Sequence, residues 1–573
     1  MKHYRHFKAA IYCRAGDLAA VAEQRDFPER FDWLTRHVSI GKVYLETYRS
    51  GFLLPMGEMK RWITFFQERG IETAGGITTD AENKGDGGFH PLCYTSRATK
   101  ELLIRVVQET ASWFDEIILD DFYFTNCKCP DCIKAKRDRS WSEFRTALML
   151  DFSKNVLIPA AKKVNPNVKM VIKFPNWYDH FADCGYDLVG EPQVFDGVYT
   201  GTETRSPAWT QQHLPKYLSY FHLRRMERLV PGRNGGGWFD PYESTGNLTE
   251  YADQGYLTLY AGAKEVTLFC LGTLLEASYS LSASVAGQVF EETDALLDGL
   301  GEPIGAACYF SAGSRGEDYL PDFIGMLGIP LEPEVEYPEA AKTVFLTAGA
   351  AADSSVLAKV QKSLMDGADV IVTSGFLQAS GAKFQQELAN VFLTGKKVLV
   401  RRYCLSTDGG LSFGLSAEGA QTVLIPQLEF QTNDMWSLAN GMDGDSNFPI
   451  LLKTSYGRGN LYFLAVPDNM EGLYHFPTRV LNAVRAVFCK NLPARLEGPA
   501  KVALFLYGNN RLIVRSFALC SEEVTVVLKG GTVLEEITTG KLLHSSLENG
   551  ENAVHFQALP GVSRHFRIIM DRE

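Results

Sequence analysis

Apolar and polar positions along the first 300 residues recur in a repeating unit. Each unit is a short apolar run, a polar or glycine-rich connection and a stretch with apolar residues at helical spacing, which predicts a strand followed by a helix. Eight such units predict a parallel (β/α)8 barrel, the TIM barrel, rather than a doubly wound sheet. The predicted strands are 7–13, 42–47, 72–77, 116–120, 168–174, 197–201, 235–239 and 265–271, and the clearest helices are 56–69, 99–113, 142–163, 212–229 and 282–297.

The pattern changes after residue 303. Predicted strands 342–347, 369–373, 397–400 and 460–465 alternate with helices 355–365 and 383–393, which indicates an open α/β sheet. Alternating runs at 502–506, 512–516 and 523–528, with glycine turns at 530–531 and 550, predict a small antiparallel β-sandwich. We therefore expect a barrel over 1–302, an α/β domain over 303–492 and a sandwich over 493–573.

Composition narrows the class of protein. The net charge is −11 and the isoelectric point about 5.6, which argues against nucleic-acid binding, since phosphate recognition needs clustered Lys and Arg. No apolar stretch approaches the ~18 residues of a membrane span, and the charged N-terminal segment lacks a signal-peptide core. Eleven scattered cysteines do not indicate a disulfide framework. We expect a cytoplasmic protein that does not bind membranes.

Acidic residues follow the predicted fourth and sixth strands. Asp120 and Asp121 come directly after an apolar run, where carboxylates are costly to bury unless they are paired or used. Glu203 follows strand six, and Arg205 two residues later could keep it ionised and oriented. The alternatives are a helix cap or a structural ion pair for the aspartates, and a bridge between two loops for the Glu-Arg pair.

The predicted seventh strand, 235–239, begins with three glycines, and Trp238 lies two residues before Asp240, which follows the strand. The glycines allow close approach of another backbone. Trp238 is either a platform for a sugar ring or a core residue, because an indole suits both.

Glycosidic cleavage needs one carboxylic acid to protonate the leaving oxygen and a second carboxylate as nucleophile or base. The catalytic candidates are Asp120, Asp121, Glu203 and Asp240. Further candidates for substrate binding at strand ends are Glu46, Tyr123, Lys173, Asn176, Trp177, Arg205, Trp238, Glu243 and Glu276.

Three cysteines lie within six residues after the strand-four acids. The spacing of Cys127, Cys129 and Cys132 suits tetrahedral zinc, with Cys93 after strand three as the fourth ligand. Four thiolates leave no open coordination position, so the metal would brace the loop and would not be catalytic. The alternative is a set of reduced, metal-free thiols.

The chain resembles the family-42 β-galactosidases, which join a barrel to an amidotransferase-like α/β domain and a small β-sandwich. Those enzymes carry a similar cysteine cluster, which the four cysteines above match in type and order. The resemblance implies a galactosidase-like activity and a homo-oligomer, a dimer or trimer. It also implies Asn-Glu after strand four and a Glu after strand seven, where this chain has Asp120-Asp121 and Asp240. Sugar, anomer and stereochemistry therefore stay open, and a strand-four Asp acting as nucleophile, as in α-galactosidase-like barrels, is conceivable.

The central domain contains no Gly-x-Cys-x-Gly elbow, and Cys404 lies in an Arg-Tyr-Cys-Leu context. An amidotransferase-type nucleophile is therefore not expected.

We expect an exo-acting glycoside hydrolase with a two-carboxylate mechanism, acting on small glycosides or oligosaccharides without an organic cofactor. The alternative from another class is a barrel that binds glycans or regulates without turnover. A catalytic metal of the amidohydrolase kind is disfavoured, because the eleven histidines show no His-x-His ligand pattern.

Overall fold

Eight parallel strands form a closed barrel in the first part of the chain, as predicted. They are β1 Lys8–Cys13, β2 Ile40–Arg49, β3 Glu72–Ile77, β4 Glu116–Leu119, β5 Lys169–Phe174, β6 Gly197–Thr200, β7 Asn234–Phe239 and β8 Glu265–Phe269. Each strand pairs in parallel with its neighbours, and pairing of β1 with both β2 and β8 closes the ring. The computed structural model describes residues 3–81, 90–205, 214–244, 246–311, 313–406, 413–431 and 433–570. It divides into two units, Met1–Asp298 and Gly299–Glu573.

Helices cover the outside of the barrel. The longer ones are Ala15–Ala22, Phe27–His37, Met56–Gln67, Arg97–Ala111, Trp141–Phe152, Leu218–Leu229, Leu248–Tyr260 and Ser280–Leu296, and shorter ones are Pro130–Lys136, Ile158–Val164, Phe181–Cys184, Glu191–Val194 and Leu271–Leu274. The predicted helix 142–163 is interrupted by a π-helical turn at Ser153–Leu157. The predicted helix 212–229 begins only at Leu218, shortly after Pro215, and positions 212–213 lie outside the described residues. Strand eight ends two residues earlier than predicted, where the helix at Leu271 follows.

Four of the eight side chains that fill the barrel interior are aromatic. Its core layer consists of Ala10, Tyr12, Tyr44, Ala74, Ile118, Val171, Tyr199 and Trp238. The glycines of β7 let this strand approach its neighbour, because a Cβ at Gly236 would lie 2.0 Å from the carbonyl oxygen of Glu265. Trp238 is thus a core residue, the second of the two alternatives given by the sequence.

The second unit begins with a nine-stranded mixed sheet. Its parallel strands are β9 Ala306–Tyr309, β10 Leu331–Glu334, β11 Thr343–Leu346, β12 Asp369–Thr373 and β17 Gly459–Leu464, and its antiparallel strands are β13 Val391–Ser406, β14 Phe413–Phe430, β15 Met435–Asp443 and β16 Ser446–Tyr456. The order is β10-β9-β11-β12-β17-β16-β15-β13-β14. Helices Leu320–Gly325, Val356–Met365, Ser374–Glu387 and Thr478–Phe488 accompany it.

One predicted helix of this domain is wrong. Residues 383–393 were expected to be helical, but the helix spans Ser374–Glu387 and a strand begins at Val391. Residues 391–393 pair with 428–430, so sheet pairing prevails over the local helical spacing. The long antiparallel hairpins of this sheet were not predicted.

Two antiparallel sheets form the C-terminal part, as expected for a sandwich. One contains Pro303–Ile304, Val502–Tyr507, Arg511–Ser516, Ser563–Ile569, Val533–Glu536 and Leu542–His544, and the other contains Ala494–Glu497, Glu522–Leu528, Glu551–Ala558 and Ser546–Glu548. Pro303–Ile304 supplies an edge strand to the first sheet by pairing with Val502–Tyr507. Across the described part of the chain, every helix is too short or too polar to span a bilayer.

Candidate active site

Charged side chains from four neighbouring strands meet at the carboxyl end of the barrel. Asp120 and Asp121 follow β4, Lys173 is the fifth residue of β5, Glu203 lies just after β6 and Asp240 follows β7. Parallel strands of a barrel end on the same face, which is where barrel enzymes carry their reacting groups.

Lys173 connects three of these acids. Its Nζ lies 2.9 Å from Asp121 Oδ2, 3.2 Å from Glu203 Oε1 and 3.6 Å from Asp120 Oδ1. The ammonium group also lies 3.9 Å from the centre of the Trp238 ring, which forms the floor beneath it. Since 2.9 and 3.2 Å add to 6.1 Å, the oxygens of Asp121 and Glu203 that contact Lys173 are at most 6.1 Å apart.

Asp120 is buried and held ionised. Arg49 donates to its Oδ2 at 2.9 Å, Thr78 donates to the same oxygen at 3.2 Å, and the backbone N–H of Asp121 donates to Oδ1. Burial alone would raise the pKa of Asp120, but the charges of Lys173 and Arg49 lower it below its ordinary value. The predicted alternative of a structural ion pair therefore describes Asp120 well.

Asp121 has the opposite electrostatics although it is the next residue. Burial, together with the negative charges of Asp120 and Glu203, raises its pKa to about 7 against the lowering effect of Lys173. Its side chain is 16% exposed, compared with 3% for Asp120. Asp121 is thus an accessible carboxyl group that carries a proton near neutral pH.

One carboxylate oxygen of Glu203 has a hydrogen-bond partner, and the other has none among the described residues. Oε1 accepts from Lys173, whereas Oε2 is buried without a hydrogen-bond partner among the described residues. The backbone carbonyl of Glu203 accepts from the Asn176 side chain at 2.6 Å, which fixes the loop after β6.

Asp240 is paired with the arginine that sequence analysis assigned to Glu203. Arg205 Nη2 donates to Asp240 Oδ2 at 3.0 Å, and Arg205 Nε lies 3.4 Å from Glu243. The backbone N–H of Tyr242 donates to the other oxygen of Asp240. Burial raises the pKa of Asp240, and the charge of Arg205 opposes this.

Glu46 lies fully buried beneath the cluster. Its carboxylate accepts from Tyr12, Thr78, Arg49 and the backbone N–H of Ala15. Burial raises the pKa of Glu46 above its usual value. With both oxygens occupied by protein donors, Glu46 supports Arg49 and does not face a substrate.

Three predicted substrate-binding residues are not themselves part of the charged cluster. The Tyr123 hydroxyl pairs with Ser153 at 2.8 Å in the layer of outer helices. Trp177 packs edge-to-face on Phe124. Glu276 is exposed in the connection after β8.

Sequence reasoning missed Arg49, Thr78 and Tyr12. Arg49 bridges Glu46 and Asp120 from the end of β2, and Thr78 follows β3 directly. Both occupy strand ends, so a search of all strand ends for donors as well as acids would have found them.

The four predicted cysteine ligands do come together. The sulfurs of Cys93, Cys127, Cys129 and Cys132 all lie within 4.8 Å of one another. Cys93 Sγ is 3.7 Å from that of Cys129 and 3.6 Å from that of Cys132. Zn–S bonds of about 2.3 Å place tetrahedral sulfurs roughly 3.8 Å apart, so the group fits a zinc ion.

Family models cover most of the chain. A model described as "Probable glycosyl hydrolase, catalytic domain" matches residues 1–292. "Uncharacterized protein SSO3021, second domain" matches 301–469, and "Probable glycosyl hydrolase, C-terminal domain" matches 493–570.

One curated relative is the uncharacterized protein SSO3021 of Saccharolobus solfataricus, 29% identical over 367 residues. The match covers 57% of this chain and 60% of that protein, so less than two thirds of the relative is matched.

Solved structures share the fold over nearly the whole chain. The β-galactosidase of Bacillus circulans sp. alkalophilus is 12% identical, with 99% of both chains covered and a TM-score of 0.66. α-L-Fucosidase isoenzyme 2 of Paenibacillus thiaminolyticus is 13% identical over 100% of both chains, with a TM-score of 0.68. The GH42 β-galactosidase Gan42B of G. stearothermophilus is 10% identical over 100% of both chains, with a TM-score of 0.63. The predicted family-42 architecture is confirmed.

Proposed function

Because this chain belongs to the probable glycosyl hydrolase family whose catalytic-domain model it matches, we propose that it is a retaining exo-glycosidase. Asp121 is the acid/base and Glu203 the nucleophile. Membership of the family confirms the predicted class of enzyme, whereas the roles of individual residues are the new part of the proposal.

The first step transfers the sugar to the enzyme. Glu203 Oε2, the oxygen without a protein partner, attacks the anomeric carbon, while the proton of Asp121 goes to the glycosidic oxygen. The bond between the anomeric carbon and that oxygen breaks, and the leaving group departs as an alcohol. The sugar is left as an ester of Glu203, and Asp121 is ionised.

The second step returns the enzyme to its starting state. Water attacks the anomeric carbon, gives one proton to Asp121 and displaces the carboxylate of Glu203. Lys173, which contacts both carboxylates, balances the negative charge that moves between them. Asp240, held by Arg205, takes no part in either step.

The contact of Lys173 with both acids carries the proposal. Retaining enzymes hold their two carboxyl groups about 5–5.5 Å apart, whereas inverting enzymes need about 6.5–9.5 Å to admit a water. The limit of 6.1 Å between the contacting oxygens supports retention. Asp240 is the less suitable nucleophile, because burial raises its pKa and both of its oxygens already accept hydrogen bonds.

Substitution of each acid by its amide tests the assignment. Asp121→Asn and Glu203→Gln should each lower kcat on nitrophenyl glycosides by about 100-fold or more, with the fold unchanged by circular dichroism. Asp138→Asn, an exposed acid, is the matched control. NMR of the first-formed sugar should show the anomer of the substrate. Wild-type activity in Asp121→Asn, or the opposite anomer, would refute the mechanism.

The non-catalytic alternative gives a different result in the same samples. A glycan-binding barrel would bind glycosides by calorimetry but release no sugar from any nitrophenyl glycoside or disaccharide.

We propose that the substrate is a small glycoside or oligosaccharide, from which the enzyme removes a terminal sugar as a galactosidase does. Solved structures with a similar fold include a β-galactosidase, an α-L-fucosidase and an exo-β-1,4-mannosidase. A panel of nitrophenyl galactosides, fucosides and mannosides in both anomers identifies the sugar.

We also propose a structural zinc at the four cysteines. The metal would tie the loop after β4, which follows Asp121, to the connection after β3, and it supplies no catalytic chemistry because its ligands are complete. Metal analysis should find one zinc per chain, and Cys129→Ser should lose it. A metal-free wild type that keeps its thermal stability would contradict this.

We propose that the chain forms three domains, 1–302, 303–492 and 493–573. We also propose that the protein is cytoplasmic and that it forms a homo-oligomer. The compartment is supported by the cysteines, since none of the eleven is paired in a disulfide. Sedimentation analysis measures the oligomeric state.

A further inference from the structure

Aromatic side chains that the two-carboxylate mechanism does not use lie next to the backbone of Asp121. Phe122 and Phe124 follow it in the chain, and Trp177 and Tyr186 come from the connection after β5. Phe124 packs on Trp177 with ring centroids 5.2 Å apart, and Trp177 packs on Tyr186 at 6.1 Å. The Tyr186 hydroxyl donates to the backbone carbonyl of Asp121 at 2.6 Å. These four residues, the aromatic wall, are thus connected to the backbone of the acid through the chain, through the Tyr186 hydrogen bond or through ring packing.

The aromatic wall is only partly covered by protein. Phe124 and Tyr186 are buried, whereas Phe122 and Trp177 are half-buried and present ring surface to solvent. The guanidinium of Arg49 lies 5.6 Å from the centre of the Phe122 ring. Two anchored rings therefore offer apolar surface beside a polar, charged cluster.

The proposed mechanism determines which part of the substrate contacts Asp121. Asp121 gives its proton to the oxygen of the leaving group, so the leaving group must contact Asp121 while the reacting sugar lies over Glu203 and Lys173. A ring that stacks on Trp177 or Phe122 would gain apolar contact without displacing any hydrogen bond of the charged cluster.

We propose that the aromatic wall binds the leaving group and selects leaving groups with a flat apolar face, either an aryl ring or the C–H face of a second sugar. This inference rests on the proposed function, because the position of the leaving group follows from the role of Asp121. It adds a selectivity for the aglycone that the choice of catalytic acids does not determine.

Kinetics with paired substrates test the selectivity. For the preferred sugar, kcat/KM is measured with the phenyl glycoside, the methyl glycoside and a disaccharide. Trp177→Ala should lower kcat/KM roughly fivefold to tenfold for the two substrates with a ring, and less than about twofold for the methyl glycoside. Trp177→Phe should restore most of the loss. Different losses for the phenyl glycoside and the disaccharide identify which ring the wall prefers.

Trp33→Ala is the matched control, because Trp33 is a half-buried tryptophan on the outer helix Phe27–His37. It should leave all three values unchanged. An equal loss for methyl and phenyl glycosides in Trp177→Ala, or no loss at all, would overturn the inference.

Binding without turnover separates this inference from the proposed function. Phenyl and methyl thioglycosides of the same sugar resist cleavage, and calorimetry gives their Kd. Tighter binding of the phenyl compound that disappears in Trp177→Ala supports the aromatic wall even if Asp121→Asn turns out to be fully active. Equal binding of both compounds rejects the wall even if Asp121 and Glu203 prove to be catalytic.

Discussion

At the residue scale, Lys173 sets the charge balance of the acids it contacts. Its positive charge lowers the pKa of Asp121, in opposition to burial and to the neighbouring carboxylates. Because the acid must be protonated, kcat/KM of the wild type should fall as the pH rises through about 7, the raised pKa of Asp121.

Lys173→Met should therefore move this basic limb to higher pH, since the pKa of Asp121 rises further once the ammonium group is gone. The maximum of kcat/KM should fall by about tenfold or more. Lys169→Met, at the exposed start of β5, is the control. A basic limb that stays in place in Lys173→Met would show that Asp121 is not the titrating acid.

Glu191 is a buried carboxyl group outside the site. Burial raises its pKa to about 8, and its Oε1 has no partner among the described residues. Between its ordinary pKa of 4.5 and about 8, the folded chain binds a proton that the unfolded chain lacks. The contribution of Glu191 to the free energy of unfolding is therefore fully present below pH 4.5. It falls by about 1.4 kcal/mol per pH unit between pH 4.5 and about 8.

Glu191→Gln should remove this pH dependence, because the amide stays neutral. Its melting temperature should exceed that of the wild type at pH 8, whereas Glu68→Gln, an exposed change, should match the wild type. Parallel stability curves for Glu191→Gln and wild type from pH 5 to 8 would be the contrary result.

At the scale of elements, a network of charged side chains connects β2, β4 and β8 at the amino end of the barrel, opposite the candidate active site. Lys42 of β2 contacts Glu116 of β4 at 2.5 Å and Glu265 of β8 at 3.3 Å, and Tyr44 donates to Glu265 at 2.7 Å. Glu265 is buried, and burial raises its pKa against the effect of Lys42.

Lys42→Met should lower the free energy of unfolding by roughly 3–5 kcal/mol, because it leaves the buried carboxylate of Glu265 without its cation. Lys8→Met, which breaks an exposed pair with Glu72, should cost at most about 1 kcal/mol. Denaturant unfolding measures both. Similar losses in the two variants would mean that the network contributes no more than a surface pair.

The local pattern of apolar residues predicted strands and helices well where a single periodicity dominated. β3 and β12 have the predicted bounds, because each is a buried strand with clear ends. The predicted helix failed at residues 391–393, because they pair with residues 428–430 of β14, far along the chain, and no local periodicity encodes that pairing. The prediction of a charge contact failed for the same reason. Arg205 was assigned to Glu203, its neighbour in sequence, but it pairs with Asp240, which follows the next strand.

At the scale of the whole molecule, the chain has a division after Asp298. The first unit ends with helix Ser280–Leu296, which contacts helix Phe27–His37 so closely that a Cβ at Gly287 would lie 2.1 Å from the carbonyl oxygen of His37. Arg5 also pairs with Asp294 and Asp298.

A fragment of residues 1–298 should therefore fold by itself with a cooperative thermal transition. A fragment that ends before this helix, residues 1–276, should not, because the apolar face of helix Phe27–His37 would be exposed. Circular dichroism melts of both distinguish the cases. An unfolded 1–298 fragment would show that the barrel depends on the second unit.

The sequence by itself determined the eight-fold strand and helix repeat, the acids at strand ends and the cysteine ligand set, because each is encoded by local spacing or residue type. Only the tertiary structure decided which acid is protonated and which is ionised. Asp120 and Asp121 are identical and adjacent in sequence, and they differ because Arg49 and Thr78 reach only one of them from other strands. Such contacts depend on the closure of the barrel, which brings residues far apart in the chain within hydrogen-bond distance.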